Sequence, residues 1–347
     1  MSRIQTVNAE AFRDSVFFSL SVLRPGIRRK VKNMAALEEY LKLSHADTGE
    51  AQNGETPAVD LPKSFATGNN GAVKVTKRLL LAVKPTKENP NPDPYENARS
   101  FLDEVKTELC GRFGKATPSY IKEGLFVVKK EFVQEFEDKL RAALDTLRAE
   151  HLPAVIADYP LAKQRAEQTP VKKGGLGPLY NEGDYCTPEQ FANCFGLEWQ
   201  WLALGIPEDL PPALRAEAQA KLETQFAEAA EEVKNALREG FQELIAHAAE
   251  KLKPAAPGEK APQFKDSLIG NIAQFVECFQ ARNLMGDSQL EALVNQAKTV
   301  LTGLQPDRLR KFANVRETTR AQFEAIQKQL DAMIVTPQGR HFDLETD

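Results

Sequence analysis

The stretch Leu210–Lys253, LPPALRAEAQAKLETQFAEAAEEVKNALREGFQELIAHAAEKLK, decides the fold of this chain. Its apolar side chains recur at intervals of three and four residues, which keeps them on one face of an α-helix. They are Leu214, Ala218, Leu222, Phe226, Ala230, Val233, Leu237, Phe241, Leu244, Ala248 and Leu252. Pro211 and Pro212 suit a first helical turn, and Pro254 suits its end because proline lacks an N–H donor. The stretch therefore predicts one helix of about 43 residues, roughly 65 Å long.

A helix of this length needs other elements to cover its apolar face, and the chain supplies them. The same periodicity predicts further helices at Met34–Leu43, Tyr95–Cys110, Lys130–Glu150, Lys265–Ala281, Gln289–Leu301 and Asp307–Ile334. Alternating or continuous apolar runs predict strands at Val16–Leu23, Val73–Leu81, Gly124–Val128 and Phe195–Leu202. The second strand is expected to pair with the first. We therefore predict a mostly α (α+β) fold, an elongated helical bundle with a small antiparallel sheet.

Local signals add detail to this plan. Asn33, Asp93 and Ser288 are typical helix caps. The first strand alternates, so that Val16, Phe18, Leu20 and Val22 are expected on one face with Ser19 and Ser21 opposite. Pro153 and Pro160 predict a break or kink after the helix that ends near Glu150.

The predicted organisation has four consecutive parts. Residues 1–130 form an N-terminal strand and helix region with a mobile loop at 44–72, and residues 131–304 form the body of the long-helix bundle. Residues 305–334 form a coiled-coil-like helix, and residues 335–347 form a loose polar tail.

Composition excludes several classes of protein. The 347 residues, 42% apolar and 27% charged, are ordinary for a globular protein with two or three cores. Because no run of 18 apolar residues occurs, no single helix is expected to span a membrane. The first residues do not resemble a secretory signal, and the four cysteines are scattered. These features predict a cytoplasmic protein with reduced thiols.

No catalytic or metal site can be assembled from the sequence. His45, His151, His247 and His341 are not at metal-ligand spacing, and no nucleophile–base pair is visible. The glycine-containing segment Lys172–Pro178 lacks the Gly-Lys-Ser/Thr of a phosphate loop, so we interpret it as a flexible connector. Trp199 and Trp201 share a strand face and are expected to cover helices. The sequence therefore predicts no enzyme activity and no cofactor.

Charge is unevenly distributed along the chain. Residues 1–90 carry 14 Lys and Arg against 9 Asp and Glu, a balance of +5, so the remainder carries −9 of the total of −4. We predict a partner-binding surface formed by Arg28, Arg29, Lys30, Lys32, Lys77 and Arg78. An acidic protein is the expected partner. Phosphates of a nucleic acid remain an alternative, although no recognition helix or zinc module accompanies these residues.

The last predicted helix has a different period from the others. Its apolar residues alternate strictly by three and four, near 3.5 residues per turn, which is typical of a coiled coil. The seam consists of Leu309, Phe312, Arg316, Thr319, Phe323, Ile326, Leu330 and Met333. We therefore predict that this helix mediates self-association or docks a partner helix, with Arg316 and Thr319 setting the register.

The order of these pieces resembles the domain of unknown function 3150 family of phage and bacterial proteins. The shared features are an apolar strand that leads through Gly26 into Arg28-Arg29-Lys30, a second strand with Thr76-Lys77-Arg78, and a helix that ends at Cys110. The resemblance covers about 290 residues and stops before Asp307. It implies no established activity, but it implies neighbouring genes for a MoxR-like AAA+ ATPase and a von Willebrand factor A-type (VWA) protein.

Together these observations predict a non-enzymatic helical scaffold or adaptor that works with such an ATPase and A-type partner. A phage protein that binds nucleic acid through its basic N-terminal surface is the alternative. A helical pore former that inserts Val16–Leu23 into a membrane is a second alternative.

Overall fold

The computed structural model describes residues 4–6, 12–45, 59–60, 75–81, 93–254 and 266–334. The described residues are mostly helical with small antiparallel sheets, which confirms the predicted fold class. The strands are β1 Ile4–Thr6, β2 Ser15–Leu23, β3 Arg28–Lys30, β4 Val59–Asp60, β5 Thr76–Arg78, β6 Thr117–Pro118, β7 Leu125–Lys129, β8 Gly196–Leu202 and β9 Gly205–Pro207. The helices are α1 Met34–His45, α2 Pro94–Cys110, α3 Val133–Thr146, α4 Leu152–Gln168, α5 Pro188–Ala192, α6 Pro212–Lys251, α7 Asp266–Arg282, α8 Ser288–Leu301, α9 Pro306–Lys311 and α10 Ala313–Met333.

The helix predicted from the opening stretch is confirmed as the 40-residue α6. Its apolar stripe is exposed in the first turns and buried in the later ones. Leu214 in the first turns is 54% exposed, whereas Phe226 is 2% exposed and most of the stripe beyond it is buried. The periodicity predicted the helix correctly, but burial depends on which neighbours lie beside each turn.

The chain divides into two compact units, each built from separate segments. The first unit comprises Met1–Leu20, Thr107–Phe136 and Trp199–Asp347; the second comprises Ser21–Lys106 and Glu137–Glu198. The predicted division into consecutive parts differs from this one, because the chain passes from one unit to the other four times. The predicted tail at 335–347 lies outside the described residues.

The core of the first unit lies where α7, α8 and α10 cover the second half of α6. Phe241 of α6 stacks on Phe275 of α7 with ring centroids 4.9 Å apart. Phe323 and Leu330 of α10 are both fully buried in the same cluster. Burying side chains of this size contributes about 1.5–3 kcal/mol each, so this cluster is the main source of stability in the unit.

The strand β2 belongs to a four-stranded sheet with the order β6-β7-β2-β8. It pairs antiparallel with β7, with Phe17 opposite Val127. Both faces of β2 are covered, because Phe17 and Phe18 point to opposite faces and both are buried. Phe17 lies 5.9 Å from Phe226 of α6, and Phe18 lies 4.7 Å from Trp201 of β8. Trp201 thus covers the interior, as expected.

The second unit contains a separate three-stranded sheet with the order β3-β5-β4. The predicted pairing of the second strand with the first is wrong, because β5 pairs with β3 rather than with β2. The predicted loop at 44–72 contains β4, which pairs with the other side of β5. Both outcomes depend on long-range pairing, which the local pattern does not encode.

The helix predicted to end near Glu150 continues through α4 to Gln168, so the expected break is absent. A π-helical turn at Leu147–His151 joins α3 to α4, and Pro153 is the second residue of α4. Pro160 lies inside α4, where Tyr159 and Ala162 are buried. The wider π-helical turn accommodates Pro153, which has no N–H. The packing of α4 offsets the backbone hydrogen bonds that the two prolines cannot donate.

The segment interpreted as a flexible connector is packed. Leu176 and Leu179 are buried against α1 in the core of the second unit. Gly175 lies so close to Thr169 that a Cβ atom there would be 1.7 Å from the Thr169 carbonyl oxygen. The glycines therefore allow close packing rather than mobility.

Helix caps follow the predictions with one shift. Asp93 accepts the Glu96 N–H at 2.8 Å, and Asn33 accepts the Ala36 N–H at 3.2 Å. The cap of α8 is Asp287 rather than Ser288, since its carboxylate accepts the Leu290 N–H at 3.1 Å. The last predicted helix is divided into α9 and α10 by the extended residue Phe312.

Candidate docking surface

The β3–β5 pair brings the predicted basic residues together. Its register places Arg28 opposite Arg78 and Arg29 opposite Lys77. A hydrogen bond of 2.9 Å from the Val31 N–H to the Val75 carbonyl extends the same register beyond the strands. Residues opposite each other in an antiparallel pair project from the same face of the sheet. The six predicted residues therefore lie within one small region of the second unit.

Strand alternation separates these six residues into two sets. Arg28, Lys30 and Lys32 are exposed on the outward face, where the half-buried Arg78 also lies. Arg29 and Lys77 project to the opposite face, together with the buried Val31 and Val75. We call the outward set, Arg28, Lys30, Lys32 and Arg78, the basic face. Two of the residues predicted to bind a partner are therefore not part of this surface.

Lys77 is an interior residue, only 6% exposed. Its Nζ lies 2.5 Å from a carboxylate oxygen of Asp184 and donates a hydrogen bond of 2.5 Å to the Leu179 carbonyl oxygen. A buried cation is tolerated only when it is paired and hydrogen-bonded, as it is here. Lys77 therefore fastens the segment around Leu179 to β5 and is unavailable to a partner. Lys77 was predicted to be part of the docking surface, but its burial places it in the interior.

Arg29 is half-buried and turned back on its own backbone. Its Nη1 donates hydrogen bonds to the Gly26 carbonyl at 2.7 Å and to the Arg28 carbonyl at 3.0 Å. These bonds hold the turn at Gly26 that leads into β3. The side chain therefore positions the basic face rather than belonging to it.

A group of tyrosines lies next to the end of β5 in the second unit. The Tyr185 hydroxyl donates a hydrogen bond of 2.9 Å to the Leu79 carbonyl, and its ring lies 5.4 Å from that of Tyr180. Burial raises the pKa of Tyr185 and of Tyr159 above the usual value. Both hydroxyls therefore stay protonated near neutral pH, the opposite of what a tyrosine general base requires.

The seam predicted for the last helix packs against other helices of the same chain. Leu309, Thr319, Phe323, Ile326 and Leu330 are buried, and all of them except Thr319 contribute to the core of the first unit. Their partner helix is α6 of the same chain. Self-association through this seam would need these side chains at the surface, where they are not.

The remaining seam residues have other roles. Arg316 donates from Nε to the Leu309 carbonyl at 3.0 Å and from Nη2 to the Arg310 carbonyl at 3.1 Å, which caps the end of α9. Phe312 is 50% exposed at the break between the two helices, and Met333 is half-buried at the end of α10.

The first unit contains a buried polar network that no sequence pattern predicted. Arg238 of α6 donates from Nε to Asp287 at 2.7 Å and from Nη1 to the Met333 carbonyl at 3.0 Å. Asn283 accepts the Asp287 N–H at 2.8 Å. Arg238 directly follows Leu237 of the apolar stripe, but that position does not reveal its partners. The network links α6, the start of α8 and the end of α10.

Burial alone raises the pKa of Asp287, but hydrogen bonds from Arg238 and from the Leu290 N–H outweigh this effect. The pKa of the carboxyl group therefore lies below its usual value.

The hairpin between β6 and β7 forms an open, mostly apolar pocket of about 410 Å³, lined by Pro118–Phe126. Tyr120 at its rim has a positive φ of 56° and is 49% exposed. Burial of its hydroxyl raises the Tyr120 pKa, so the group remains protonated near neutral pH. The lining of the pocket comes from one short stretch of the chain, the ends of β6 and β7 and the turn between them.

The part of the chain that the structure describes contains no group of three or more His, Cys, Asp or Glu side chains that would hold a metal ion. No helix in the same residues is long and apolar enough to cross a bilayer. Comparisons with protein-family models, with curated proteins and with solved structures gave no match.

Proposed function

We propose that this protein is a non-enzymatic scaffold or adaptor that docks an acidic protein partner on the basic face. The observation that carries this proposal is the division of the cations by strand alternation. Arg28, Lys30 and Lys32 are exposed at the surface. Arg29 and Lys77 instead donate hydrogen bonds to backbone carbonyls and so hold the β3–β5 pair in place. A preorganised surface loses less side-chain and backbone entropy when a partner binds.

Long-range charge supports the same proposal. The balance of +5 in residues 1–90 against −9 in the remainder favours the approach of an acidic partner to the N-terminal part of the chain. Such steering raises the association rate more than the affinity. The resemblance to the domain of unknown function 3150 family suggests the partner, a MoxR-like AAA+ ATPase or the A-type protein encoded beside it.

The test is the double charge reversal Arg28→Glu with Lys30→Glu. The matched control is Lys221→Glu with Lys328→Glu, which makes the same charge change at exposed helix positions of the other unit. We expect the first variant to slow association with the candidate partners at least tenfold at low salt, because opposite charges no longer attract. The difference should shrink at high salt, and the control should associate like the natural protein.

Both variants should keep their helical circular-dichroism signal, since exposed charges contribute little to folding. Equal capture of the ATPase and of the A-type protein by the natural chain and the basic-face variant at low salt contradicts the proposal.

A nucleic acid is the second candidate partner, because four cations on one face would also suit phosphates. Retention of DNA by the natural chain, with a steep fall on adding salt and loss in the basic-face variant, would favour this function instead.

A further inference from the structure

The turn between β6 and β7 holds Tyr120 in a conformation that is unfavourable for a large side chain. Its φ of 56° lies in the left-handed region, which favours glycine and which bulky residues seldom adopt. The side chain is nevertheless 49% exposed to solvent. The folded chain therefore gains only part of the contact area that an aromatic ring can provide, while the backbone stays strained.

Hydrogen bonds fix the shape of this turn. Ser119 is fully buried, and its Oγ accepts the Ile121 N–H at 3.3 Å. The Leu125 N–H donates to the Lys122 carbonyl at 3.2 Å, and the Ser119 N–H donates to the Leu125 carbonyl at 2.9 Å. The Tyr120 ring is therefore presented at the surface by a hydrogen-bonded backbone, which reduces the entropy lost when a partner binds.

The same turn forms the open pocket described above, most of whose lining is apolar. Pro118 and Tyr120 are exposed there, and Ile121 and Phe126 are half-buried. The volume of about 410 Å³ is sufficient for a leucine or phenylalanine side chain. An exposed aromatic ring beside an apolar pocket is typical of a site that takes up the anchor residue of a partner.

Acidic side chains of α6 lie beside this pocket. Burial has the largest effect on the pKa of Tyr120, but the charges of Arg282, Glu232 and Glu239 also act on it, so these side chains lie near the hydroxyl. Arg282 is half-buried and donates from Nη1 to the Arg112 carbonyl. Glu232 and Glu239 are exposed, and neither is paired with a cation within the described residues. Seven residues apart on a helix, they share one face at a separation of about 10 Å.

The part of α6 that contains these two glutamates is strongly acidic. Between residues 228 and 250 it carries six exposed glutamates against two cations, Lys234 and Arg238, and Arg238 is buried in its pair with Asp287. Lys122 and Glu123 on the turn carry opposite charges. This surface would therefore repel phosphates and attract lysine and arginine side chains. The six glutamates are Glu228, Glu231, Glu232, Glu239, Glu243 and Glu250.

We propose that the pocket beside Tyr120 binds a basic segment of a protein partner, whose apolar anchor side chain enters the pocket while flanking Lys or Arg side chains pair with Glu232 and Glu239. The pocket belongs to the first unit and the basic face to the second, so this surface is independent of the proposed function. A chain with both surfaces would bind two partners of opposite charge, which is what an adaptor requires.

The experiment uses the full chain and three fluorescently labelled nonapeptides. The first has a central leucine with two arginines on each side, and serine and glycine at the remaining positions. The second has serine in place of the leucine. The third has glutamine in place of the four arginines. Binding is measured by fluorescence anisotropy at low salt.

Two variants test the two parts of the site. Tyr120→Gly removes the ring and introduces the residue that a positive φ favours, so the turn is expected to keep its shape. Glu232→Gln/Glu239→Gln removes two charges at exposed helix positions and decides the test if the glycine variant does not fold. The matched control is Glu217→Gln/Glu223→Gln, the same charge change at exposed positions nearer the start of α6.

We expect the first peptide to bind the natural chain at least tenfold more tightly than either of the other two. The affinity should fall at least tenfold in Tyr120→Gly and in Glu232→Gln/Glu239→Gln, and it should be unchanged in the control. Circular dichroism and urea midpoints check that each variant is folded.

Three results would overturn the inference. Equal binding of the leucine and serine peptides would show that the pocket takes up no anchor. Undiminished binding by Glu232→Gln/Glu239→Gln would exclude the charge pairing. Self-association of the natural chain in sedimentation velocity, abolished in Tyr120→Gly, would assign the pocket to a second copy of this chain. None of these results would alter the outcome for the basic face, which is tested with different residues.

Discussion

At the scale of single residues, the chemistry of a side chain did not reveal its role. Lys77 and Arg78 are neighbours in the sequence and carry the same charge, yet one is buried and the other lies on the outward face. The strand period explains this difference, because successive residues project from opposite faces. Each cation therefore has to be assigned by its register rather than by its type.

Lys77→Ala should destabilise the second unit by about 3–5 kcal/mol, because it leaves Asp184 and the Leu179 carbonyl without their cation. Urea unfolding monitored by the fluorescence of tyrosine and tryptophan would measure the loss. Arg28→Ala is the control, since it removes an exposed cation of the same β3–β5 pair. It should lower the free energy of unfolding by no more than about 0.5 kcal/mol. Equal losses in the two variants would contradict the interior role of Lys77.

Asp287→Asn should alter the pH dependence of stability. The folded-state pKa of Asp287 lies below its usual value, so its carboxylate stabilises the native state above the unfolded pKa, about 3.9. This contribution is lost as the pH falls through the folded pKa. Asparagine retains the capping of α8 but removes the charge that pairs with Arg238.

The variant should therefore be less stable than the natural chain at pH 7, and the difference should begin to shrink as the pH falls below about 4. Urea midpoints measured between pH 3 and pH 7 would check this. A difference that stays constant across the range would exclude the Arg238–Asp287 ion pair as its source.

At the scale of elements, α10 shows that a coiled-coil period does not identify the partner. Its seam is apolar at the interval of a coiled coil, but α6 of the same chain occupies it. Helices of a bundle pack with a similar geometry and use a similar period. The pattern therefore predicts contact with a helix without distinguishing an intramolecular neighbour from a second chain.

Phe323→Ala should lower the free energy of unfolding by about 3–5 kcal/mol, because Phe323 is fully buried between α10 and its neighbours. The loss should be the same at protein concentrations tenfold apart, since the seam is internal. The half-exposed Phe312 provides the control, and Phe312→Ala should cost about 1 kcal/mol or less. A free energy of unfolding that rises with protein concentration would instead indicate that the seam joins two chains.

At the scale of the whole molecule, both units are assembled from distant segments. The first combines the N-terminus with Thr107–Phe136 and everything from Trp199 onward. The cluster around Phe12, Phe17 and Phe226 therefore needs both ends of the first unit, although the larger cluster between α6 and α10 lies within residues 237–330.

A fragment comprising residues 1–130 should therefore remain unfolded when expressed alone. It contains Phe12 and Phe17 but lacks Phe226, against which both rings pack. Circular dichroism and the dispersion of amide proton signals in NMR would measure this. Cooperative unfolding of the isolated fragment would show that the predicted consecutive division is correct, whereas the full chain serves as the folded reference.

Periodicity within the sequence was sufficient to predict most of the long helices and four of the nine described strands, including α6, β2 and the capping residues Asn33 and Asp93. These features depend on neighbours within a few residues, which the sequence shows directly. Only the tertiary structure decided that β5 pairs with β3, that α4 continues past Pro153 and Pro160, and that Lys77 is buried. Each of these depends on contacts between residues far apart in the chain, whose free energy overrides the local preference.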